Sequence, residues 1–295
     1  MNDVEEFYLQ HHGVKGMKWG VRKKVETSGR RAKASAYAVG AKLNPREAKY
    51  TLKRTFSRPS ELDLEMASLV ESQTKTTGVL TSNAKLIEAI NRKGMQAHKN
   101  AKYDNLTSDD IKGLKKYTDA AYYSRAINTY LATGVGKPDI QQRAAELKAT
   151  LGKNQLTNQT VYRSTALKFS TQGLSKKLDQ YGEEDLSKVF DQFDSNFKGK
   201  SFKENRVYST STSPSFAIDT WRKVNPNAAK TYNSYLVIDC KGTPGVLADG
   251  RTTKGEKIVN TRSNQEGILA PNKMTYRKLS WDAERQMFAV YMDAE

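Results

Sequence analysis

Three short segments of this chain each set a chemically capable polar residue on a strand-like background. "TVYRST" carries Arg163, "VYSTSTSPS" lines up Ser209, Thr210, Ser211, Thr212 and Ser213, and "SNQEGILAP" carries Glu266. An arginine at a strand end presents a planar fork of donors that suits a phosphate or a carboxylate. A hydroxyl beside a carboxylate fixes its orientation. Arginine, hydroxyl cluster and carboxylate on three strands can therefore hold an anionic ligand and set one negative charge against it. The hydroxyl run also has a plainer reading as a surface loop, because Ser and Thr bond the local backbone in turns and Pro214 ends most regular structure. Glu256 in "KGEKIV" and Glu284 in "DAERQ" are rival carboxylates, but both sit in polar sequence and read as solvated. Arg206 and Arg251 are rival cations, and neither follows a strand pattern as clean as "TVYR".

The elements that must position these residues change character along the chain. "SELDLEMASLVES" opens with a Ser cap and first-turn acids, and "SNAKLIEAINRKGM" sets Leu86, Ile87 and Ile90 on one helical face. "TSDDIKGLKKYTDAAYYSRAINTYLATG" reads as a helix capped by Thr107 or Ser108 and stopped by Gly134, and a further helix is expected around residues 140 to 151. After that the period shortens. "QTVYRSTAL", "RVYSTSTS", "NSYLVIDC", "GILAP", "MTYRKLSW" and "RQMFAVYMDAE" are β-branched or aromatic runs bounded by Gly, Pro or Asn, with one more helical stretch in "TQGLSKKLDQYGEEDLSKVFDQF". Helices followed by strands without regular alternation predict an α+β fold with antiparallel sheets.

Of 295 residues, 49 are Lys or Arg and 32 are Asp or Glu, a net charge of +17 that attracts polyanions. Fourteen of the cations against five acids fall in residues 1–58, so this first segment reads as a basic, largely flexible arm suited to docking on nucleic acid or another acidic surface. Residues 59–295 form the expected domain, helical over 59–155 and strand-rich over 156–295. Cys240 is the only cysteine, which excludes an internal disulfide framework and a cysteine-based zinc site. The neighbours His11 and His12 gain no carboxylate or cysteine cluster to complete a metal site. No apolar run approaches the length of a membrane span, and "MNDVEEFYLQHHG" lacks the basic-then-apolar order of a secretory signal, so a cytoplasmic setting is expected.

In their order, Arg163 in "VYRST", Ser209, Thr210 and Ser211 in "YSTSTSPSFA", and Glu266 in "NQEGILAPN" resemble the signature of the ADP-ribosyltransferases of the clostridial exoenzyme and arginine-transferase type. "KYTDAAYYSRAINTYL" is similar to that family's helix with its Tyr-Thr and Ile-Asn pairs, and "SYLVIDCKGTPGVLADG" to the strand and Lys-Gly-Thr turn ahead of its catalytic loop. The resemblance implies a core of two packed, mainly antiparallel sheets preceded by helices, and a mono-ADP-ribosyltransferase that consumes NAD. In that reading Glu266 stabilises the oxocarbenium-like transition state, Arg163 grips the pyrophosphate, and Ser209 aims Glu266. Thr210 and Ser211 brace the strand and reach the cofactor. Trp221 and Arg222 occupy the position of the family's loop over the phosphates and nicotinamide, where stacking on the ring and simple packing are both open.

Asn264 stands two residues before Glu266, where the family carries Glu for arginine acceptors or Gln for several others. It keeps a donor and an acceptor but argues against an arginine acceptor; Gln265 turns inward instead if the loop carries a bulge. The acceptor is then a host protein or nucleic acid. "HHGVKGMKWGVRKK" resembles a stretch near the start of some phage head-associated proteins, which implies an enzyme carried in a virion into the host cytoplasm. The alternative is a basic phage structural or nucleic-acid-binding protein that keeps the fold without the activity.

Overall fold

The computed structural model describes residues 58–119, 121–165, 186–220, 234–252, 255, 257–258 and 266–295. The basic arm lies outside the described residues except for Arg58. Five helices come first: α1 (Glu61–Thr77), α2 (Ala84–Asn100), α3 (Ser108–Asp119), α4 (Ala121–Thr133) and α5 (Pro138–Gly152). Then follow β1 (Gln155–Thr165), α6 (Leu186–Asn196), β2 (Ser201–Lys203), β3 (Tyr208–Ser211), a π-helical turn (Ser215–Thr220), β4 (Ser234–Leu247), β5 (Glu266–Leu269), β6 (Lys273–Asp282) and β7 (Met287–Ala294). The α+β class read from the sequence is the observed one.

Local chemistry sets the helix ends. Ser60 and Asp63 form a capping box at α1, with Asp63 N–H donating to Ser60 Oγ (3.2 Å) and Ser60 N–H to Asp63 Oδ2 (2.9 Å). Thr107 and Asp110 repeat the pattern at α3. Gly134, in the left-handed region at φ 72°, ends α4 as its position in the sequence suggests. The helix expected across residues 108 to 133 is described as α3 and α4, on either side of residue 120, which lies outside the described residues. Each turns its apolar positions into one cluster, Ile111, Leu114 and Tyr117 from α3 and Ile127 from α4.

The strands run β1-β3-β5-β4-β7-β6-β2 with an added β1–β4 pairing, and every neighbour is antiparallel except β4 and β7. The two sheets expected from the resemblance are two ends of this network, joined through β4. Residues Ser234 to Cys240 lie between β1 and β7, whereas Gly245 to Leu247 pair with β5. Since β3 also touches β1 at Tyr162↔Ser211, the strands β1, β3, β5 and β4 close a hydrogen-bonded circuit. The Lys-Gly-Thr turn implied by the resemblance is corrected here. β4 runs on through Lys241, Gly242 and Thr243; Gly242 at φ 76° is the extra residue of a bulge opposite the Leu156–Thr157 step, and a second slip follows at Asn158 of β1.

Alternation along the strands feeds separate cores. Val161, Leu236 and Ile238 pack with Val189 and Phe193 of α6. Their neighbours Tyr162, Tyr235 and Val237 pack under Ala67 and Val70 of α1 and Ile87 and Ile90 of α2. A third cluster seats α3, α4 and α5 on Val246 and Ile268, at the end of the sheet where β3 and β5 lie.

Arg92 of α2 is buried against Asp63 of α1 (Nη1 to Oδ2, 2.7 Å), with 6 % and 4 % of the two side chains exposed. Removing Asp63 leaves the buried Arg92 with only the longer contact to Glu88 (Nη2 to Oε1, 3.4 Å) among the described residues and also breaks the capping box. We expect Asp63→Ala to lower the unfolding free energy by about 3–5 kcal/mol in urea denaturation. A cost below about 1 kcal/mol would show that the ion pair is solvated and worth no more than a surface one.

Candidate active site

The hydroxyl run is not a surface loop. Ser209, Thr210, Ser211, Thr212 and Ser213 are all buried, and β3 carries the first three between β1 and β5. Buried hydroxyls need partners, and these find them inside the protein. Thr210 Oγ1 donates to Gly267 O (2.8 Å), Ser211 Oγ accepts from Ser213 N–H (3.0 Å), and Ser213 Oγ donates to Asn91 Oδ1 (2.8 Å). Gly267 is the residue that allows this approach, because a Cβ there would lie 2.9 Å from Thr210 Oγ1.

Register brings the carboxylate to the hydroxyls. Ser211 faces Glu266, Thr210 faces Gly267 and Ser209 faces Ile268, so Ser209, Ser211 and Glu266 share one face of the β3–β5 pair. Glu266 is the first residue of β5 and only 8 % exposed. Its carbonyl accepts from Ala248 N–H (2.8 Å), which ties the mouth of β5 to the end of β4.

Arg163 comes from β1 and is 9 % exposed. Its Nη1 donates to Ser209 O (2.8 Å), and its guanidinium carbon lies 5.2 Å from the centre of the Tyr208 ring. Tyr117 of α3 links the pieces. Burial pushes its hydroxyl up to about 12, opposed by hydrogen bonds to Asn128 and Ser209 and by the charge of Arg163, and reinforced by the charge of Glu266. One phenol thus touches Ser209 and lies within electrostatic reach of both charged groups. Arg163, Ser209 and Glu266, far apart in the chain, meet in one place.

Asn128 of α4 holds this arrangement to the helices. Its Nδ2 donates to Tyr117 Oη (3.2 Å), and its Oδ1 accepts from Val207 N–H (2.8 Å), just ahead of β3. The Tyr117 hydroxyl lies 3.4 Å from Val207 O. Beside them, Glu204 accepts from Arg206 Nε (3.0 Å) and Nη2 (2.8 Å) and from the Tyr208 hydroxyl (2.5 Å).

The rival groups are engaged elsewhere. Arg206 is paired with Glu204, Arg251 Nη1 donates to Gly255 O, and Glu284 is exposed beside Ser82. Trp221, Arg222, Asn264, Gln265 and Glu256 lie outside the described residues. Among the described residues no group of three or more His, Cys, Asp or Glu gathers to hold a metal ion, and no helix is long and apolar enough to cross a membrane.

The sequence alone does not mark Glu204, Tyr208 and Asn128 as parts of the site, and it presents Tyr117 as a core position. Glu204 and Arg206 lie in the loop between β2 and β3, where Glu204 Oε1 also accepts from the N–H groups of Asn205 and Arg206 (both 2.9 Å), so their grouping with Tyr208 comes from a turn that carries no periodic signal. Tyr117 and Asn128 belong to the Tyr-Thr and Ile-Asn pairs of the helix resemblance, but their spacing among apolar neighbours does not show that they reach β3.

The strands that bear Arg163 and the hydroxyl run fall within the span of a known family. The profile of the family described as ADP-ribosyltransferase exoenzyme matches residues 91–243, more than half of the chain, and the chain belongs to that family. A family of unknown function (DUF7211) matches residues 1–26. No curated protein matches the sequence. Among solved structures, a C3-type exoenzyme from S. aureus, solved with NAD, is 15 % identical with a TM-score of 0.47, covering 73 % of this chain and 97 % of its own. An ADP-ribosyltransferase from Clostridium botulinum is 14 % identical with a TM-score of 0.45, covering 72 % and 96 %. The Clostridium limosum C3 exoenzyme is 17 % identical with a TM-score of 0.45, covering 73 % and 96 %.

The hydrogen bonds that brace the site can be probed one at a time. Asn128→Ala strips the buried Val207 N–H of its acceptor and should cost about 1–3 kcal/mol in urea denaturation; an unchanged midpoint would mean that Val207 finds another acceptor. For Glu204, burial works to raise the carboxyl, but the bonds and charge of Arg206 and the Tyr208 hydroxyl hold it below the ordinary glutamate value of 4.5. A depressed folded-state value means that its contribution is complete above about 4.5 and is lost as pH falls through the folded value. The stability gap between wild type and Glu204→Gln should therefore be widest near neutrality and narrow below about pH 4.5. A gap independent of pH would remove Glu204 from the titrating groups.

Proposed function

We propose that this chain is a mono-ADP-ribosyltransferase that breaks the bond between nicotinamide and ribose in NAD and passes ADP-ribose to a host macromolecule. The observation that carries the reading is the meeting of Arg163, Ser209 and Glu266 around β3 and β5.

Arg163 supplies a planar cation for the pyrophosphate, where charge-assisted bonds contribute roughly 1.5–3 kcal/mol. Glu266 faces the sugar. As the glycosidic C–N bond breaks, its electron pair moves to the ring nitrogen, the pyridinium becomes neutral nicotinamide, and positive charge develops on the ribose, as in glycoside hydrolysis. Glu266 opposes that charge and bonds the ribose 2′-hydroxyl. An acceptor lone pair then forms the new bond at the same carbon, and the acceptor loses a proton. Because the leaving group departs neutral, no second carboxylic acid is needed to protonate it. Ser209 aims Glu266, and Thr210 and Ser211 fix the strand against β5. Trp221 and Arg222 are assigned to the cofactor and Asn264 and Gln265 to the acceptor by their positions in the sequence. The basic segment 1–58 serves for docking on a capsid or a nucleic acid, in keeping with carriage in a virion to the host cytoplasm.

The test is nicotinamide release, together with labelling of a bacterial lysate by NAD labelled in its ADP-ribose half. Glu266→Gln should lower turnover roughly 100- to 1000-fold with NAD still bound. Arg163→Lys should act chiefly on KM, by on the order of tenfold. A wild type that labels nothing and releases no nicotinamide would leave the alternative, a basic structural or nucleic-acid-binding protein on the same fold.

A further inference from the structure

The cluster of Glu204, Arg206 and Tyr208 adjoins Arg163 yet has no part in the bond-breaking step. Tyr208 precedes Ser209 on β3, and two guanidinium groups lie within cation–π reach of its ring, Arg163 at 5.2 Å and Arg206 at 5.6 Å from the centroid. Two cations drawn to one ring repel each other unless the charge of one is balanced. Glu204 balances Arg206 through a forked pair of bonds, Nε to Oε1 (3.0 Å) and Nη2 to Oε2 (2.8 Å), with 5 % of the glutamate side chain exposed.

The same carboxylate fixes the ring. The Tyr208 hydroxyl donates to Glu204 Oε2 (2.5 Å) and accepts from Arg206 Nη2 (3.2 Å), so its phenolic end is held from two directions. On β3 the next residue completes the cradle, because Ser209 O takes the Nη1 donor of Arg163 (2.8 Å). Consecutive residues of one strand thus supply Arg163 with an in-plane hydrogen bond and an aromatic surface. A guanidinium held in one orientation before its ligand arrives loses less rotamer freedom on binding.

We infer that Tyr208 is a positioning residue for Arg163: its ring aims the guanidinium at the pyrophosphate of the dinucleotide, and Glu204 with Arg206 locks that ring in place. The inference rests on the NAD reading above. It assigns Arg206 to the support of the site rather than to the phosphates.

The test varies the ring's electrostatics at constant shape. Tyr208→Phe is followed by 3,5-difluorophenylalanine and pentafluorophenylalanine at position 208, which weaken the negative face stepwise. Calorimetric Kd for NAD and KM in nicotinamide release should rise with each step, to about tenfold from phenylalanine to the pentafluoro ring, while kcat changes less than about threefold. In an Arg163→Ala background the same series should be flat. A flat series in the otherwise wild-type protein, or a slope that persists without Arg163, overturns the inference while leaving NAD turnover intact. A wild type that neither binds nor cleaves NAD overturns the NAD reading, and the inference falls with it.

Discussion

The pairing of β3 with β5 is the constraint on which the rest of the site depends. Four residues on each strand set Ser211 opposite Glu266 and Ser209 opposite Ile268. A slip of one residue would turn Glu266 away from the hydroxyl face, because side chains alternate along a strand. Such short strands do not fix their own register. β4 fixes it from one side, where a Cβ on Gly245 would lie 2.7 Å from Ile268 O, so that only glycine allows the backbones to come this close. β1 fixes it from the other, through Tyr162↔Ser211. Closure of β1, β3, β5 and β4 into one circuit gives two short strands the stiffness of two long ones.

That circuit also explains the position of the helices. The cluster formed by α3, α4 and α5 covers Val246 and Ile268, which lie on the same face of the sheet as Glu266, so an apolar layer seals the sheet directly beside the carboxylate. Two polar side chains cross this apolar layer, Tyr117 and Asn128, and both reach the backbone of Val207. A buried amide that satisfies one backbone group and one phenol leaves few alternatives for the strand that follows. The helices therefore act on β3 as a brace, and their packing is felt at Ser209.

Much of this architecture can be read from the sequence where the cause is local. The caps at Ser60 and Thr107, the stop at Gly134 and the strand segments other than the hydroxyl run are each marked by residues within a few positions. The burial of the hydroxyl run could not be read, since Ser, Thr and Pro side by side have the composition of a turn and only the partners β1 and β5 make them a strand. "CKGTPGV" has the residues of a turn as well, yet both of its ends have sheet partners, and the backbone resolves the conflict by bending at Gly242. The order of Arg163, Ser209 and Glu266 in the chain is legible, and the structure brings the strands that bear them together. Their supports are not legible: Tyr117 and Val207 are ninety residues apart, and no pattern of spacing encodes their contact.

The electrostatics around β3 turn on the separation of two buried carboxylates. Glu204 and Glu266 lie at opposite ends of the β3–β5 neighbourhood, and their surroundings give them different work. Glu204 is bound by Arg206 and the Tyr208 hydroxyl, so its charge is consumed within the protein and adds little to the field outside the cluster. Glu266 stands at the mouth of its strand, across from Ser211 and on the same face as Ser209. If Arg206 were closer to Glu266 than to Glu204, it would neutralise the charge of Glu266 instead. Alternation along β3 turns Tyr208, with the Glu204–Arg206 pair it contacts, to the face opposite Glu266, and this keeps the two ion systems apart.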